Sequence, residues 1–476
     1  MPFHNAPNHA NPSPSLADPT YTGDLGDGLI CRWSTRADLD KISQLYATVF
    51  RDSDDEPLNV VAGDEARIFM SQGFPLMGAE DFALVEDTSQ PARPIVAATS
   101  YWRRQWSYGG IPFGVGQPEN VATFTAYRNR GLVRALFDMF HARSAAAGHL
   151  VQAITGIRYF YRQFGYEYAL DLGGYRSVPL ASIPAKEANE PEPYSLRLAM
   201  LDDIPDLQEL YNQRRAAGLI WHETDDAFWR YHITSWADPA IQGRDPALVG
   251  LIGKLHMIVD SDGKTCGYVW LAAKRWGRSQ FVLALELFPH VNWQRALPCL
   301  LRLFRKVGEQ TPPVAGNNKE WQDIGFELGR AHPVYALLGD KLVAGSGAPP
   351  YAWYVRVPDV PAFIRHIAPV LEQRLAASIL VGYSGQLTLD FYRSGLRLHF
   401  EQGQLKSAEP WRGSAHVDEG DAGFPPLVFL QLLFGYRSLA ELNEFFPDVW
   451  ASDTAKLLID ILFPKQPSTV YALTFT

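Results

Sequence analysis

Two short stretches of the chain combine residue types and spacings that can do chemistry. The first is the basic turn Arg128-Asn129-Arg130-Gly131, which runs straight into Leu132 and Val133. Guanidinium groups pair with phosphate oxygens. A helix N-terminus adds unsatisfied N–H groups and a positive dipole end, and a glycine lets an anion approach the backbone. The chemistry expected is the holding of a phosphate or pyrophosphate, although a basic turn before a helix is also a common structural feature. The second is Tyr159-Phe160-Tyr161-Arg162-Gln163-Phe164-Gly165-Tyr166. Tyr161 there is either a packed ring or a proton donor with a pKa of about 10.

The elements that must position these residues are legible around them. Residues 121–125 read as a strand. Leu132, Val133, Leu136, Phe137 and Phe140 give a helical face over 132–147, closed by Gly148. Residues 150–154 read as a second strand. A strand, an anion-binding turn, a helix, a strand and an aromatic turn suit a nucleotide-like cofactor with its pyrophosphate on the turn. Trp102 and Trp106, on an earlier strand, are candidate walls of a substrate site, with core packing as the alternative. Asp52, Asp54, Asp55 and Glu56 form an acidic patch that either meets a cation or is simply solvated.

The bulk properties narrow the classes. With 476 residues, 47% hydrophobic and 20% charged, the chain has globular composition and room for about three domains. A net charge of -9 argues against non-specific nucleic-acid binding. Cys31, Cys266 and Cys299 are widely spaced, with neither a CxxC pair nor a zinc pattern, so no metal is expected and the thiols read as buried in a reducing compartment. Residues 1–27 lack the Lys or Arg and the apolar core of a signal peptide and read as a disordered leader. The longest apolar run, near 424–434, is too short to cross a membrane. A soluble, cytoplasmic protein is expected.

Along the chain, a mixed α/β domain is expected over 28–183. The Pro- and charge-rich stretch from Ile183 to Pro193 reads as a linker. A second domain over 184–345 repeats the first. Leu196-Arg197-Leu198 and Asp203 to Tyr211 align without a gap on Cys31-Arg32-Trp33 and Asp38 to Tyr46, and Trp321 to Phe326 echoes Tyr161 to Tyr166. The second copy has no glycine between Gly277 and Gly308, so its phosphate turn is expected to be lost. A small α+β domain over 346–476 carries a hairpin at 387–400, helices at 360–375, 427–436 and 455–462, and a closing strand at 470–476.

The turn R-x-x-G-x-V between strand and helix, with Phe160-Tyr161-x-x-Phe164-Gly165-Tyr166 behind it, resembles the GCN5-related N-acetyltransferase (GNAT) superfamily. Val133 stands where that superfamily has a small residue. Two such domains, the second without a cofactor turn, followed by a sterol-carrier-like (SCP2-like) domain, resemble the Eis (enhanced intracellular survival) family over nearly all of 29–476. The resemblance implies acetyl-CoA as co-substrate, bound by Val121 and Thr123 of the strand and by Arg128, Asn129, Arg130, Gly131, Leu132 and Val133. It implies Tyr161 as general acid, the Thr476 carboxylate as general base, and Asp52 as a holder of a cationic acceptor. Phe475 departs from an acidic family position. The function implied is N-acetylation of a primary amine, such as an aminoglycoside, polyamine or lysine-like group, by a protein of possible homo-oligomeric state. Such an amine arrives protonated, with a pKa of about 10.4, and must lose a proton to attack. The alternative is a lipid-binding SCP2-type protein on a non-catalytic scaffold, with Leu427, Val428, Phe429, Leu432, Leu433 and Phe434 lining a tunnel.

Overall fold

A computed structural model describes residues 15–51, 53, 55–71, 73–186, 191–235, 253–314, 319–342, 348–413 and 420–470. They fall into two units. Among the described residues, the first contains those within 15–71, 77–102 and 118–149; the second contains those within 73–76, 103–117 and 150–470.

The first unit begins with the hairpin β1 (Thr22–Gly26) and β2 (Leu29–Trp33). The helices α1 (Leu39–Val49) and α2 (Val60–Phe69) follow. Next come β3 (Phe82–Asp87), β4 (Ile95–Tyr108) and β5 (Ile111–Thr123), then α3 (Leu132–Ala146). Strands β1 to β4 form an antiparallel meander, with Cys31 opposite Val85 and Leu84 opposite Ala98. Alternation in β2 sends Leu29, Cys31 and Trp33 to one face, where Leu132, Leu136, Met139 and Phe140 of α3 cover them. The later parts of β4 and the earlier part of β5 belong to the second unit.

In the second unit, β6 (Val151–Ile154) runs parallel to β5, with Val151 opposite Val115. β7 (Glu167–Leu172) and β8 (Arg176–Pro179) come next. The repeat continues with β9 (Tyr194–Leu198), α4 (Ile204–Arg215), β10 (Ile220–His222) and α5 (Asp226–Thr234). It then runs through β11 (Lys254–Asp260), β12 (Thr265–Leu271), β13 (Ser279–Leu287), α6 (Trp293–Gln310) and β14 (Asp323–Phe326). All of these strands except β10, which pairs with β4, join β8 in a six-stranded sheet of order β8-β14-β13-β12-β11-β9, in which β13 and β14 are the parallel pair. The parallel crossover β13-α6-β14 has the same form as β5-α3-β6.

The two strand-helix beginnings share more than hydrophobic pattern. Arg32 makes a bidentate pair with Asp38, at 2.9 and 2.7 Å, and the Thr35 amide donates to the same carboxylate at 2.8 Å. Arg197 and Asp203 do likewise at 2.6 and 2.7 Å, with the Met200 amide donating at 2.7 Å. One fork-shaped guanidinium thus ties each strand to the start of its helix.

β8 lies in the sequence range of the first expected domain, yet it pairs with β14 of the second. β15 (Tyr351–Arg356), which opens the last expected domain, inserts between β6 and β7, with Tyr354 opposite both Ile154 and Tyr168. The remainder forms a five-stranded sheet around the hairpin of β16 (Gly385–Asp390) and β17 (Gly395–Glu401), with Leu389 opposite Leu396. The helix expected over 360–375 is two helices, Val360–His366 and Ala368–Ala376. Pro369 explains the break, because its ring and missing N–H interrupt a continuing helix. Phe429, Leu432, Leu433 and Phe434 are packed into the core of this unit, with Phe434 stacked on Phe363 at 5.5 Å. The expected closing strand over 470–476 lies outside the described residues except for Val470.

Candidate active site

In the first unit, Val121 and Thr123 end β5, and a single 3-10 turn, Thr125–Tyr127, leads to the basic residues. Arg128, Asn129, Arg130 and Gly131 are all exposed. Asn129 has φ 61° and Gly131 φ 78°, so the chain bends twice through the left-handed region before α3 starts. A Cβ on Gly131 would meet nothing within 4 Å. The glycine is therefore required by backbone conformation and not by crowding within the protein. No side chain caps the first turn of α3, in which Leu132 is buried and Val133 half-buried. Its N–H groups and the positive end of its dipole face outward beside two guanidinium groups. The arrangement fits a pyrophosphate.

The turn is held from behind. The Tyr127 hydroxyl donates to Asp87 Oδ2 at 2.6 Å, and Ser89 and Gln90 bind the same carboxylate. The Ser89 and Tyr127 hydroxyls hold the Asp87 carboxyl well below the usual carboxylate range. Arg130 pairs with Asp27 at 2.9 Å and lies 5.7 Å from the Tyr127 ring. None of these supports stood out in the sequence, because Asp27 and Asp87 lie far from the turn along the chain.

The second copy differs at the matching place. Asn292 caps α6 with its own side chain, accepting from the Arg295 amide at 3.0 Å. That carboxamide occupies one of the N–H groups an anion would use. The expected lack of a phosphate turn in the second copy accords with this cap as well as with the missing glycine.

The second unit carries the aromatic turn. Phe160–Phe164 is a 3-10 helix flanked by Tyr159 at φ 65° and Gly165 at φ 84°. Tyr161 is 3% exposed, with its ring 5.1 Å from Phe160, 5.4 Å from Tyr354 and 6.4 Å from Tyr166. Its hydroxyl would be 3.9 Å from a Cβ on Gly156. Behind it, the Tyr168 oxygen lies 2.6 Å from Tyr351 Oη and 2.5 Å from Tyr354 Oη, and it accepts from the Tyr159 amide at 2.9 Å. This three-phenol cluster fixes the entry to the turn.

The structure thus brings Val121, Thr123, Arg128, Asn129, Arg130, Gly131, Leu132 and Val133 into one strand-turn-helix, and places Tyr161 in the other unit's aromatic turn. Trp102 is 1% exposed and packs edge-on against Phe69 at 5.0 Å. Trp106 is fully buried against Trp353 at 5.5 Å. Asp52 and Thr476 lie outside the described residues. Cys31, Cys266 and Cys299 are buried free thiols. Among the described residues, no group of three His, Cys, Asp or Glu side chains is placed to hold a metal, and no helix is long and apolar enough to cross a membrane.

Residues 31–169 match the acetyltransferase (GNAT) domain family. GNAT domains use acetyl-CoA as co-substrate, and the strand-turn-helix described above falls inside the matched residues. No curated protein matches the chain. Solved structures do. A GCN5-related N-acetyltransferase from Kribbella flavida is 18% identical, with 94% of this chain and 98% of that one covered at a TM-score of 0.61. One from Anabaena variabilis is 14% identical, covering 94% and 100% at 0.60. Eis1 from Mycobacterium abscessus is 15% identical, covering 94% and 100% at 0.55. At these identities the likeness is one of fold, and it extends over nearly the whole chain.

Proposed function

We propose that the protein is an acetyl-CoA-dependent N-acetyltransferase acting on a primary amine of a cationic acceptor. The observation that carries the reading is the uncapped start of α3, entered through left-handed Gly131 and flanked by exposed Arg128 and Arg130. The capped start of α6 is the internal contrast. When bound, acetyl-CoA supplies the thioester. The chain's own groups do the rest. Arg128, Arg130 and the first N–H groups of α3 hold the pyrophosphate, and the backbone at Val121 and Thr123 pairs with the pantetheine arm. Tyr161 donates a proton to the leaving thiolate, and the Thr476 carboxylate takes a proton from the acceptor nitrogen. Asp52 and the Trp102 and Trp106 side of β4 are assigned to the acceptor. The likeness in fold to Eis1 over 94% of this chain accords with an Eis-like architecture; a tandem acetyltransferase-like arrangement, a sterol-carrier-like end and a cytoplasmic setting belong to the same proposal.

The test is a thiol-release assay with acetyl-CoA against aminoglycosides, polyamines, arylalkylamines and lysine peptides. Release with at least one amine is expected. Tyr161→Phe should lower kcat by about 100-fold with little change in KM for acetyl-CoA. Removal of the last two residues should abolish turnover while leaving acetyl-CoA binding intact. Absence of both binding and thiol release would overturn the proposal, and copurified lipid would then favour a lipid carrier.

A further inference from the structure

A cavity of about 260 Å³ opens in the second unit, lined by none of the residues assigned to acetyl-CoA or to its acceptor. Leu170 of β7 and Phe434 are its buried apolar lining. Arg330, Lys465 and Gln466 are exposed at its edge, and Tyr436 and Arg437 are half-buried in its wall. Backbone hydrogen bonds tie these walls together. The Gln466 amide donates to the Gly435 carbonyl at 3.0 Å, and the Tyr436 and Arg437 amides both donate to the Gln431 carbonyl, at 2.9 and 3.1 Å. Arg330 grips Asp171 of β7 at 2.8 and 2.9 Å, which fixes the remaining side. The recess is therefore preformed.

Three cations line this cavity, and two of them are committed. Arg330 is held by Asp171, and Lys465 by Glu441 at 2.6 Å. Arg437 is the third. Its guanidinium carbon sits 4.4 Å from the centre of the Tyr436 ring, and among the described residues no carboxylate lies within ion-pair distance of it. Glu441 acts on Arg437 from farther off but bonds Lys465. Glu167, which acts on Tyr436, is paired with Arg162. The unused polar capacity is of one kind. Gln466 Oε1 accepts from Arg374 at 2.7 Å, which leaves its amide N–H groups to donate. The Tyr436 hydroxyl makes no hydrogen bond to the described residues, and burial holds its pKa above the usual phenol range, so it stays protonated and can donate.

Guanidinium, phenol and carboxamide donors around a partly apolar recess call for a ligand that accepts only and carries negative charge. With one guanidinium uncommitted, a monoanion balances the site, whereas a phosphate dianion would leave a charge over. A carboxylate is planar and takes a guanidinium fork with both oxygens. Leu170 and Phe434 favour an apolar body behind it. At about 260 Å³ the space is smaller than a drug-sized pocket, so that body is short.

We infer that this cavity binds a small monocarboxylate with a short apolar body, its carboxylate on Arg437, Tyr436 and Gln466 and its hydrocarbon against Leu170 and Phe434. The inference is independent of the acetyl-transfer reading.

The experiment is a ligand-observed NMR titration of the full chain at pH 7 with hexanoate, hexanamide, dodecanoate and inorganic phosphate. Hexanoate should bind at least about tenfold more tightly than hexanamide, which lacks the charge, and than phosphate. Dodecanoate should gain nothing over hexanoate, because its longer chain has no room. Saturating acetyl-CoA should leave hexanoate binding unchanged. Arg437→Gln should weaken hexanoate by about tenfold or more. Arg437→Lys, which keeps the charge and loses the fork, should fall in between. Tyr436→Phe should weaken it several-fold, with an unmoved urea midpoint. Absence of hexanoate binding would overturn the inference, as would its displacement by acetyl-CoA. Equal binding of hexanamide or phosphate, tighter binding of dodecanoate, or unchanged binding in both Arg437→Gln and Tyr436→Phe would also overturn it.

Discussion

Arg130 Nη2 lies 2.9 Å from Asp27 Oδ2, an aspartate whose side chain is 84% exposed. One of the two guanidinium groups on the turn is thus held by a carboxylate that a phosphate would have to displace. Exposed pairs of this kind are worth about 0–1 kcal/mol, so Asp27→Asn should tighten acetyl-CoA binding by no more than about fivefold. The gain should shrink as salt is raised. Arg130→Ala should weaken binding by about 10- to 100-fold, through loss of a charge-assisted hydrogen bond of about 1.5–3 kcal/mol. Calorimetry at two salt concentrations checks both. Weaker binding in Asp27→Asn would instead make Asp27 an orienting partner of Arg130.

Gly131 separates conformational strain from steric crowding. Its φ is 78° and open space surrounds the missing Cβ. Gly131→Ala should cost about 1–2 kcal/mol of stability from the left-handed backbone alone. Gly131→Asn, a residue that visits this region more readily, should recover a good part of it. Thermal unfolding of the two variants side by side decides the matter; equal losses would mean that something besides φ limits the position.

Glu65 sets a pH window for stability. Its pKa is raised to about 7 in the folded chain and is about 4.3 when unfolded. Between those values the folded state binds more protons, so its stability falls as pH rises from about 4.5 to about 7 and levels off above. Glu65→Gln should remove this part of the loss and leave the variant more stable than the parent at pH 8, by about 2–4 kcal/mol. The two should converge near pH 4.5. Glu327, raised to about 7 by burial, titrates in the same window, so the variant should keep part of the slope. Denaturant midpoints at pH 4.5, 6 and 8 measure it, and parallel curves for the two proteins would refute the assignment.

The paired strand-helix ties allow a comparison within one molecule. Burial opposes ionisation of Asp38, but hydrogen bonds from Arg32 and the Thr35 amide outweigh it and hold its pKa low. The Asp38 side chain is 7% exposed, and Arg32 also pairs with Glu86 at 3.1 Å. Asp38→Ala should therefore cost about 2–3 kcal/mol, less than a fully orphaned buried charge. Asp203→Ala should cost about 1 kcal/mol, because Arg197 is 36% exposed and rehydrates. Urea midpoints rank them, and an equal or reversed order would contradict the burial argument.

The sequence by itself determined the local units. Strand β2, helix α1, the strand-turn-helix around Arg128 to Val133 and the aromatic turn around Tyr161 all follow from short-range periodicity, glycine placement and charge. Those signals act within a few residues, so they survive in one dimension. The gap-free echo of Arg32 and Asp38 in Arg197 and Asp203 also showed the repeat. What only the tertiary structure decided are the long-range partnerships. Asp27 and Asp87 reach the turn from other elements, Asn292 closes the second helix start, and β15 crosses into the sheet of β6 and β7. Glu65 and Asn120 come from a helix and a strand 55 residues apart, and nothing in that separation marks them as hydrogen-bond partners. Side-chain hydrogen bonds and burial depend on distance in space, and that distance is fixed by strand order and helix packing, which periodicity along one segment does not encode.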